Sequence, residues 1–152
     1  MTLTIQRTLD VGLCMGVLDD PIIYDAISED GFTEADKKID VINDIWLRLD
    51  DGDTNIGVVY FQPKFSHCYD AHIQILPQHR RDYTQKSGEI ILQWCKDNLK
   101  GCLIYTNVPA FCESVALFLL SFGFEESGRL KKAYKKRGEL HDLIILTKNM
   151  GA

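Results

Sequence analysis

The sequence of 152 residues contains no long apolar run and no paired cysteines. No stretch approaches the roughly 18 uncharged apolar residues of a membrane-spanning helix, so we expect no membrane association. The five cysteines, at positions 14, 68, 95, 102 and 112, are scattered and include no CxxC pair. This pattern argues against a disulfide framework or a zinc site and favours a reducing compartment. The first ten residues lack a basic segment followed by an apolar run, so we expect no secretory signal and a cytoplasmic location.

Internal repeats, low-complexity segments and a Pro/Gly-rich linker are also missing, so we predict a single domain over residues 1–152. The apolar fraction of 45% and the charged fraction of 26% are typical of a soluble globular protein. Asp51, Asp53 and Asn55 have the spacing of calcium ligands. However, Ile56 and Gln62 stand where such a loop needs glycine and glutamate, so we predict no metal site.

Charge is unevenly distributed along the chain, although the net charge is only −5. Residues 1–53 carry 13 acidic and 4 basic side chains, whereas residues 54–152 carry 9 acidic and 13 basic ones. An anionic ligand would therefore be attracted to the C-terminal two-thirds and a cationic acceptor to the N-terminal third. The acidic residues that could attract such an acceptor, or be plain surface charge, are Asp19, Asp20, Asp25, Glu29 and Asp30.

Hydrophobic periodicity predicts the element order β-α-α-β-β-β-α-β-α-β-β. Antiparallel strand runs combined with one strand–helix–strand crossover indicate a mixed α+β fold, with a mostly antiparallel sheet of about 6–7 strands and about 4 helices. Pro21 opens the second helix, Gly123 ends the fourth, and residues 111–122, apolar on nearly every face, predict a deeply buried helix. The predicted strands cover 3–9, 45–49, 56–61, 69–76, 102–106, 128–136 and 141–147, and the third helix covers about 84–99.

Residues 72–94 run from a strand through a basic loop into a helix start. The first turn of a helix offers unpaired N–H groups and the positive end of the helix dipole. With Arg80, Arg81 and Lys86 nearby, such a site suits a pyrophosphate, and Gly88 would allow a close approach of the helix backbone. The alternative is that these arginines are solvated loop charges.

This strand–loop–helix resembles the acyl-coenzyme A motif of the GNAT (N-acetyltransferase) superfamily. The stretch Asn107-Val-Pro, a serine-bearing helix and Phe122-Gly-Phe resembles the family's second signature. The ending 138–146 is similar to the ribosomal-protein-alanine acetyltransferase branch, and the overall layout resembles short GNAT-like proteins encoded by bacteriophages. The resemblance covers residues 1–148 in element order and 69–147 in motifs.

The resemblance implies a GNAT fold that uses acetyl-CoA as co-substrate, without a metal, and transfers the acetyl group directly to an amine. The acceptor would be a protein N-terminus, a lysine or a small molecule. By position in the family motif, the backbone of Ile75 and Leu76 lies beside the pantetheine arm, and Asn107 contacts its amide. The residues that would face the phosphates are Arg80, Arg81, Thr84, Gln85, Lys86 and Gly88.

His72 is the candidate general base, because it lies on the polar face of the central strand and imidazole titrates near neutral pH. A structural histidine bonded to a neighbour is the alternative. The resemblance also exposes two departures: the phosphate loop lacks glycines, and Leu119 occupies the place of a tyrosine that protonates the leaving thiolate. Glu113, Ser114 or water would then supply that proton.

These departures keep a second function open, that of a catalytically inactive phage-type GNAT-like protein in virion assembly or protein interaction. Such a protein would be found in the bacterial host cytoplasm or in the virion. Late strands mediate dimers in many GNAT proteins, so a homodimer is also expected. The basic run at 129–137 has only Tyr134 interleaved, which makes nucleic-acid binding the least supported interpretation.

Overall fold

One seven-stranded sheet organises the computed structural model, which describes residues 2–151. Its strand order is β1-β2-β3-β4-β5-β7-β6, and every neighbouring pair is antiparallel except β4 and β5. The predicted element order and the mixed α+β class, with seven strands and four helices, are confirmed. The strands are β1 Leu3–Arg7, β2 Ile45–Asp51, β3 Thr54–Phe65, β4 Cys68–Ile75, β5 Leu103–Pro109, β6 Glu125–Lys136 and β7 Glu139–Asn149.

The helices are α1 Val11–Leu18, α2 Pro21–Ile27, α3 Arg80–Asn98 and α4 Glu113–Ser121, with short 3₁₀ turns at Glu34–Asp36 and Pro77–His79. The side chain of Asp10 accepts the N–H of Leu13 and so caps α1, and Asp20 caps α2 immediately before Pro21. None of the helices in the described part of the chain is long and apolar enough to span a bilayer.

Side-chain alternation along the strands creates a core on each face of the sheet. On one face, Trp46 and Val58 pack with Cys14, Val17 and Ile23 of α1 and α2. On the other face, the core contains Leu47, Val59, Phe61 and Ile75 from the strands and Ile91, Cys95 and Leu99 from the region of α3. The central strands are therefore covered on both sides.

The parallel ladder between β4 and β5 is short. It pairs Cys68 with Leu103, Tyr69 with Ile104 and Asp70 with Tyr105. Beyond that last rung β4 runs on to Ile75 and β5 to Pro109 without pairing to each other. The two strands diverge, and we call the opening between them the splay.

Two predictions about helices are wrong. The third helix begins at Arg80 rather than near residue 84. The fourth helix has no fully buried residue, and Leu117 is 66% exposed. Its inner side, with Ala116 and Leu119, packs against the core, whereas Val115, Leu117 and Leu120 on its outer side are 44–66% exposed.

Candidate functional site

The splay carries polar side chains from both strands on one face of the sheet. Asp70 and His72 lie two residues apart on β4, and Tyr105 and Asn107 lie two apart on β5. Because Asp70 is the ladder partner of Tyr105, all four project to the same side. Sequence reasoning found His72 and Asn107 separately, and the parallel ladder brings them to opposite edges of one opening.

His72 is held by two contacts. Its ring stacks on Tyr60 with centroids 4.6 Å apart, and Tyr60 in turn stacks on the buried ring of Trp46 at 4.0 Å. The His72 Nε2 atom lies 3.2 Å from Oδ2 of Asp70, and one-third of the histidine side chain is exposed. The ring is therefore fixed in orientation while one edge faces solvent. Both interpretations of His72, a bonded histidine and a base, are compatible with this arrangement.

Asp70 is a site residue that sequence reasoning named only as a neighbour of His72. It is 6% exposed, and its Oδ1 atom is buried without a hydrogen-bond partner. Burial, reinforced by the carboxylates of Asp70 and Asp44, raises the pKa of the Tyr60 hydroxyl far above its ordinary value. The signal available in the sequence was the alternation of β4, which places a carboxylate beside the histidine on the same face.

Asn107 also has an unused polar atom. Its Nδ2 donates a hydrogen bond to the Tyr105 hydroxyl at 3.3 Å, whereas its Oδ1 is buried and unpartnered. Two buried oxygens, one on each strand of the splay, thus lack donors. A buried acceptor without a donor costs about 1–3 kcal/mol, so this opening is suited to a ligand rich in N–H groups.

The start of α3 lies directly after the splay. Arg80 donates from Nε to the carbonyl of Ile75 at 3.1 Å, which ties the helix start to the end of β4. Leu76 leads into the 3₁₀ turn, and the side chains of Arg80 and Arg81 are exposed. The predicted cationic helix start is therefore present, although its role in binding phosphates stays a prediction.

The predicted phosphate loop is helical instead. The Thr84 hydroxyl donates a hydrogen bond to the carbonyl of Arg80, and Nε2 of Gln85 lies 3.5 Å from Oε1 of Glu89 in the same helix. Thr84, Gln85 and Lys86 therefore project from the second turn of α3 rather than from a loop. The absence of glycine after Pro77 explains the difference, because nothing interrupts helical propensity there.

Gly88 permits close packing, but its neighbour is α4. A Cβ at this position would lie 2.4 Å from Cζ of Phe122 and 3.0 Å from Cζ of Phe118. Between α3 and α4 the glycine thus makes room for two aromatic rings, which contact each other edge to face. Its predicted contact with a cofactor stays a prediction.

Glu113 and Ser114, the predicted proton donors, are exposed in the first turn of α4. Within residues 2–151 neither makes a side-chain hydrogen bond with His72 or Asp70. Leu119 is partly buried against the core. Their part in catalysis stays a prediction.

Acidic residues of the N-terminal third have partners within the chain. Asp30 accepts the backbone N–H groups of Arg137 at 3.0 Å and Gly138 at 2.8 Å, and Asp25 pairs with Lys136 and Arg137. The turn between β6 and β7 is thereby held against the end of α2. These contacts neutralise part of the acidic surface predicted for a cationic acceptor and part of the basic run predicted for nucleic acid.

Metal binding and disulfides have no support in the described residues. No cluster of three His, Cys, Asp or Glu side chains among residues 2–151 could hold a metal ion. The five cysteines are all free thiols.

No family model matches this sequence, and no curated protein does. Solved structures do match. Mutant forms of the spermidine/spermine N-acetyltransferase SpeG from Vibrio cholerae superpose with a TM-score of 0.75 at 15% identity, covering 98% of this chain and 95% of that one. The ribosomal-protein-S18-alanine N-acetyltransferase from Escherichia coli gives 0.72 at 12% identity, with 99% and 96% covered. YncA from Salmonella typhimurium, solved with its cofactor acetyl-CoA, gives 0.73 at 13% identity, with 99% and 95% covered.

Proposed function

We propose, starting from the GNAT acyltransferase fold that these superpositions show, that the chain is an acetyl-CoA-dependent N-acetyltransferase acting on an amine. The observation that carries the proposal is the splay. Around this opening lie an unpaired strand edge and two buried oxygens without hydrogen-bond donors. His72, fixed in orientation, and the N-terminal end of α3 with its two arginines lie beside them. That one structural neighbour was solved with acetyl-CoA supports the choice of co-substrate.

The residues around the splay fit acetyl-CoA in their chemistry. Asn107 has a free Oδ1 that would accept an amide N–H of the pantetheine arm, and the edge of β4 beyond Asp70 has no ladder partner on β5. Arg80 and Arg81, at the N-terminal end of α3, would face the phosphates. Bound in this way, the co-substrate would supply an acetyl thioester, a reactive acyl group.

His72 would act on the amine. An alkyl amine, with an ordinary pKa near 10.4, is protonated at neutral pH and must lose a proton before it can attack. In the neutral form that carries its hydrogen on Nδ1, His72 keeps a lone pair on Nε2, 3.2 Å from Oδ2 of Asp70, that can take this proton. Glu113, Ser114 or water would return a proton to the leaving thiolate.

Calorimetric titration with acetyl-CoA tests the proposal. Wild type is expected to bind in the micromolar range, and the Arg80→Ala, Arg81→Ala double variant about tenfold more weakly or worse. The matched control is Lys96→Ala, Lys100→Ala, which removes two exposed cations from the opposite end of the α3 region. It should bind like wild type, because charges so far from the helix start are screened by salt. Absence of binding up to millimolar acetyl-CoA would rule out the enzyme.

The outer side of α4 favours a second candidate, the inactive phage-type GNAT-like protein with a virion-assembly or protein-interaction role. Phe111, Val115, Leu117 and Leu120 are 44–66% exposed, which is unusual for a row of large apolar residues in and just before one short helix. Self-association would cover this side, as in the expected homodimer. Sedimentation of wild type against Leu117→Lys tests it, and loss of a dimer in the variant, together with no acetyl-CoA binding, would favour this candidate.

A further inference from the structure

We propose that the buried carboxylate of Asp70 binds the acceptor amine in its protonated form and positions it beside His72. This inference rests on the proposed function, since it assigns the acceptor side of the same opening. It starts from one atom, the unpartnered Oδ1 of Asp70, which none of the roles described above uses.

The two oxygens of Asp70 are in different situations. Oδ2 lies 3.2 Å from Nε2 of His72 and 3.9 Å from Nζ of Lys64, whereas Oδ1 is buried and has no partner. The side chain as a whole is only 8% exposed. Burying a carboxylate oxygen without a hydrogen-bond donor is costly, and Oδ1 has no donor in the described chain.

An ammonium group is the ligand that best completes this site. It carries three N–H donors, no acceptor and a positive charge, and Asp70 offers a negative charge and a free acceptor. Asp44 adds a second carboxylate near Tyr60, and burial, together with the charges of Asp70 and Asp44, raises the pKa of that tyrosine. A divalent metal ion fits less well, because no three metal-ligating side chains cluster among residues 2–151.

The position of Asp70 also suits an acceptor. It forms the last rung of the β4–β5 ladder with Tyr105, so Oδ1 lies where the two strands begin to separate. His72 is two residues further along β4 on the same face, and its Nε2 atom lies 3.2 Å from the other carboxylate oxygen. An ammonium held by Asp70 would therefore lie next to the imidazole that takes its proton.

The proton and electron pairs balance in this arrangement. One N–H proton of the ammonium moves to neutral His72, and Asp70 stabilises the imidazolium that results. The freed electron pair of the amine forms the C–N bond as the C–S bond of the thioester breaks. The thiolate leaves with the electron pair of the broken C–S bond, and the second N–H proton of the attacking nitrogen goes to solvent.

Trp46 provides a direct readout of this site. It is joined to His72 through the ring of Tyr60, and the sequence has only one other tryptophan, Trp94. In a Trp94→Phe background, Trp46 becomes the sole tryptophan, and the stacking of residue 94 on Phe61 is preserved. Titration with n-butylamine should change Trp46 fluorescence saturably, whereas 1-butanol, of the same size but neutral, should not.

Asp70→Asn is the deciding variant, because it keeps the shape and removes the charge. We expect it to bind butylamine about ten- to a hundredfold more weakly. Asp70→Glu should keep part of the affinity. The matched control Asp53→Asn, in the exposed turn after β2, should bind like the parent. Equal butylamine affinity in Asp70→Asn and the parent, or equal responses to butylamine and butanol, would overturn the proposal.

Acetyl-CoA calorimetry on the same variants separates the two proposals. Unchanged acetyl-CoA binding with weakened butylamine binding in Asp70→Asn supports the ammonium site and shows that the variant is folded. Unchanged binding of both ligands refutes the ammonium site and leaves the proposed enzyme intact. If acetyl-CoA binds to none of the proteins while butylamine still depends on Asp70, the enzyme fails and the ammonium site stands.

Discussion

Gly57 pairs with Ile75 in the ladder between β3 and β4, and its replacement tests the geometry at the end of the splay. A Cβ added here would lie 2.2 Å from the carbonyl oxygen of Gln74 and 3.0 Å from Cα of Ile75. Both atoms belong to the backbone of β4, which β3 holds along its whole length. The clash therefore cannot be relieved by rotating a side chain.

The expected cost of Gly57→Ala follows from that rigidity. Overpacking a well-packed interior costs about 1–3 kcal/mol, and a backbone clash belongs at the upper end, near 3 kcal/mol. For a chain of this size each kcal/mol corresponds to about 2–4 °C in Tm, so the variant should melt about 6–12 °C below wild type. Displacement of Ile75 should also weaken acetyl-CoA binding, because Ile75 accepts the hydrogen bond from Arg80.

The same chemical change at Gly16 is the control. Gly16 is exposed within α1, and a Cβ there meets nothing within 4 Å. Alanine favours a helix interior over glycine by about 1 kcal/mol, so Gly16→Ala should raise Tm by about 2–4 °C. Thermal unfolding followed by circular dichroism measures both variants. A Gly57→Ala protein that melts within about 2 °C of wild type, less than 1 kcal/mol on this scale, would show that the close approach of β3 and β4 is wrong.

Two further predictions concern titratable groups. The backbone N–H groups of Gly138 and Arg137 hold the pKa of Asp30 below its ordinary value. The stability that Asp30 contributes is therefore present above the unfolded pKa near 3.9 and is lost as the pH falls through the lower folded pKa. In urea unfolding, Asp30→Asn should lose less stability than wild type between about pH 5 and 3, and equal losses of stability would contradict the reasoning. Burial raises the pKa of Cys14 to about 11 and that of Cys95 to about 12. Both thiols should therefore resist iodoacetamide at about pH 8 in the folded protein and react in urea, which peptide mass mapping measures. Rapid labelling of either thiol in the native state would contradict their burial.

The largest difference between expectation and structure concerns the phosphate loop. The resemblance to the family motif predicts a phosphate loop that includes residues 81–85. Locally, however, the sequence after Pro77 contains no glycine before Gly88, and its polar residues are compatible with a helix. The N-terminal end of α3 therefore presents Arg80 and Arg81, and Thr84 lies one turn inside the helix.

The fourth helix shows a limit of hydrophobicity as a guide to burial. Residues 111–122 are apolar on nearly every face, which predicts burial, yet a short helix on a sheet can bury only the side that it turns to the core. The inner side, with Ala116 and Leu119, is packed, and Leu117 points away. The apolar composition of the helix is visible in the sequence, but its depth depends on what covers it.

The sequence by itself determined the order of the elements, because alternation with a period of two and stripes with a period of about 3.6 are local properties of the chain. Side-chain chemistry visible without coordinates also made His72 and the two arginines candidates, and the family resemblance added Asn107; their roles stay predictions. Only the tertiary structure decided at which residue β4 and β5 begin to separate, after Asp70, and that the carboxylate of Asp70 keeps one oxygen buried and free. The length of a strand ladder, and whether a buried polar atom has a hydrogen-bond partner, depend on contacts between residues far apart in the chain, such as Asp70 and Tyr105. No local pattern encodes such contacts.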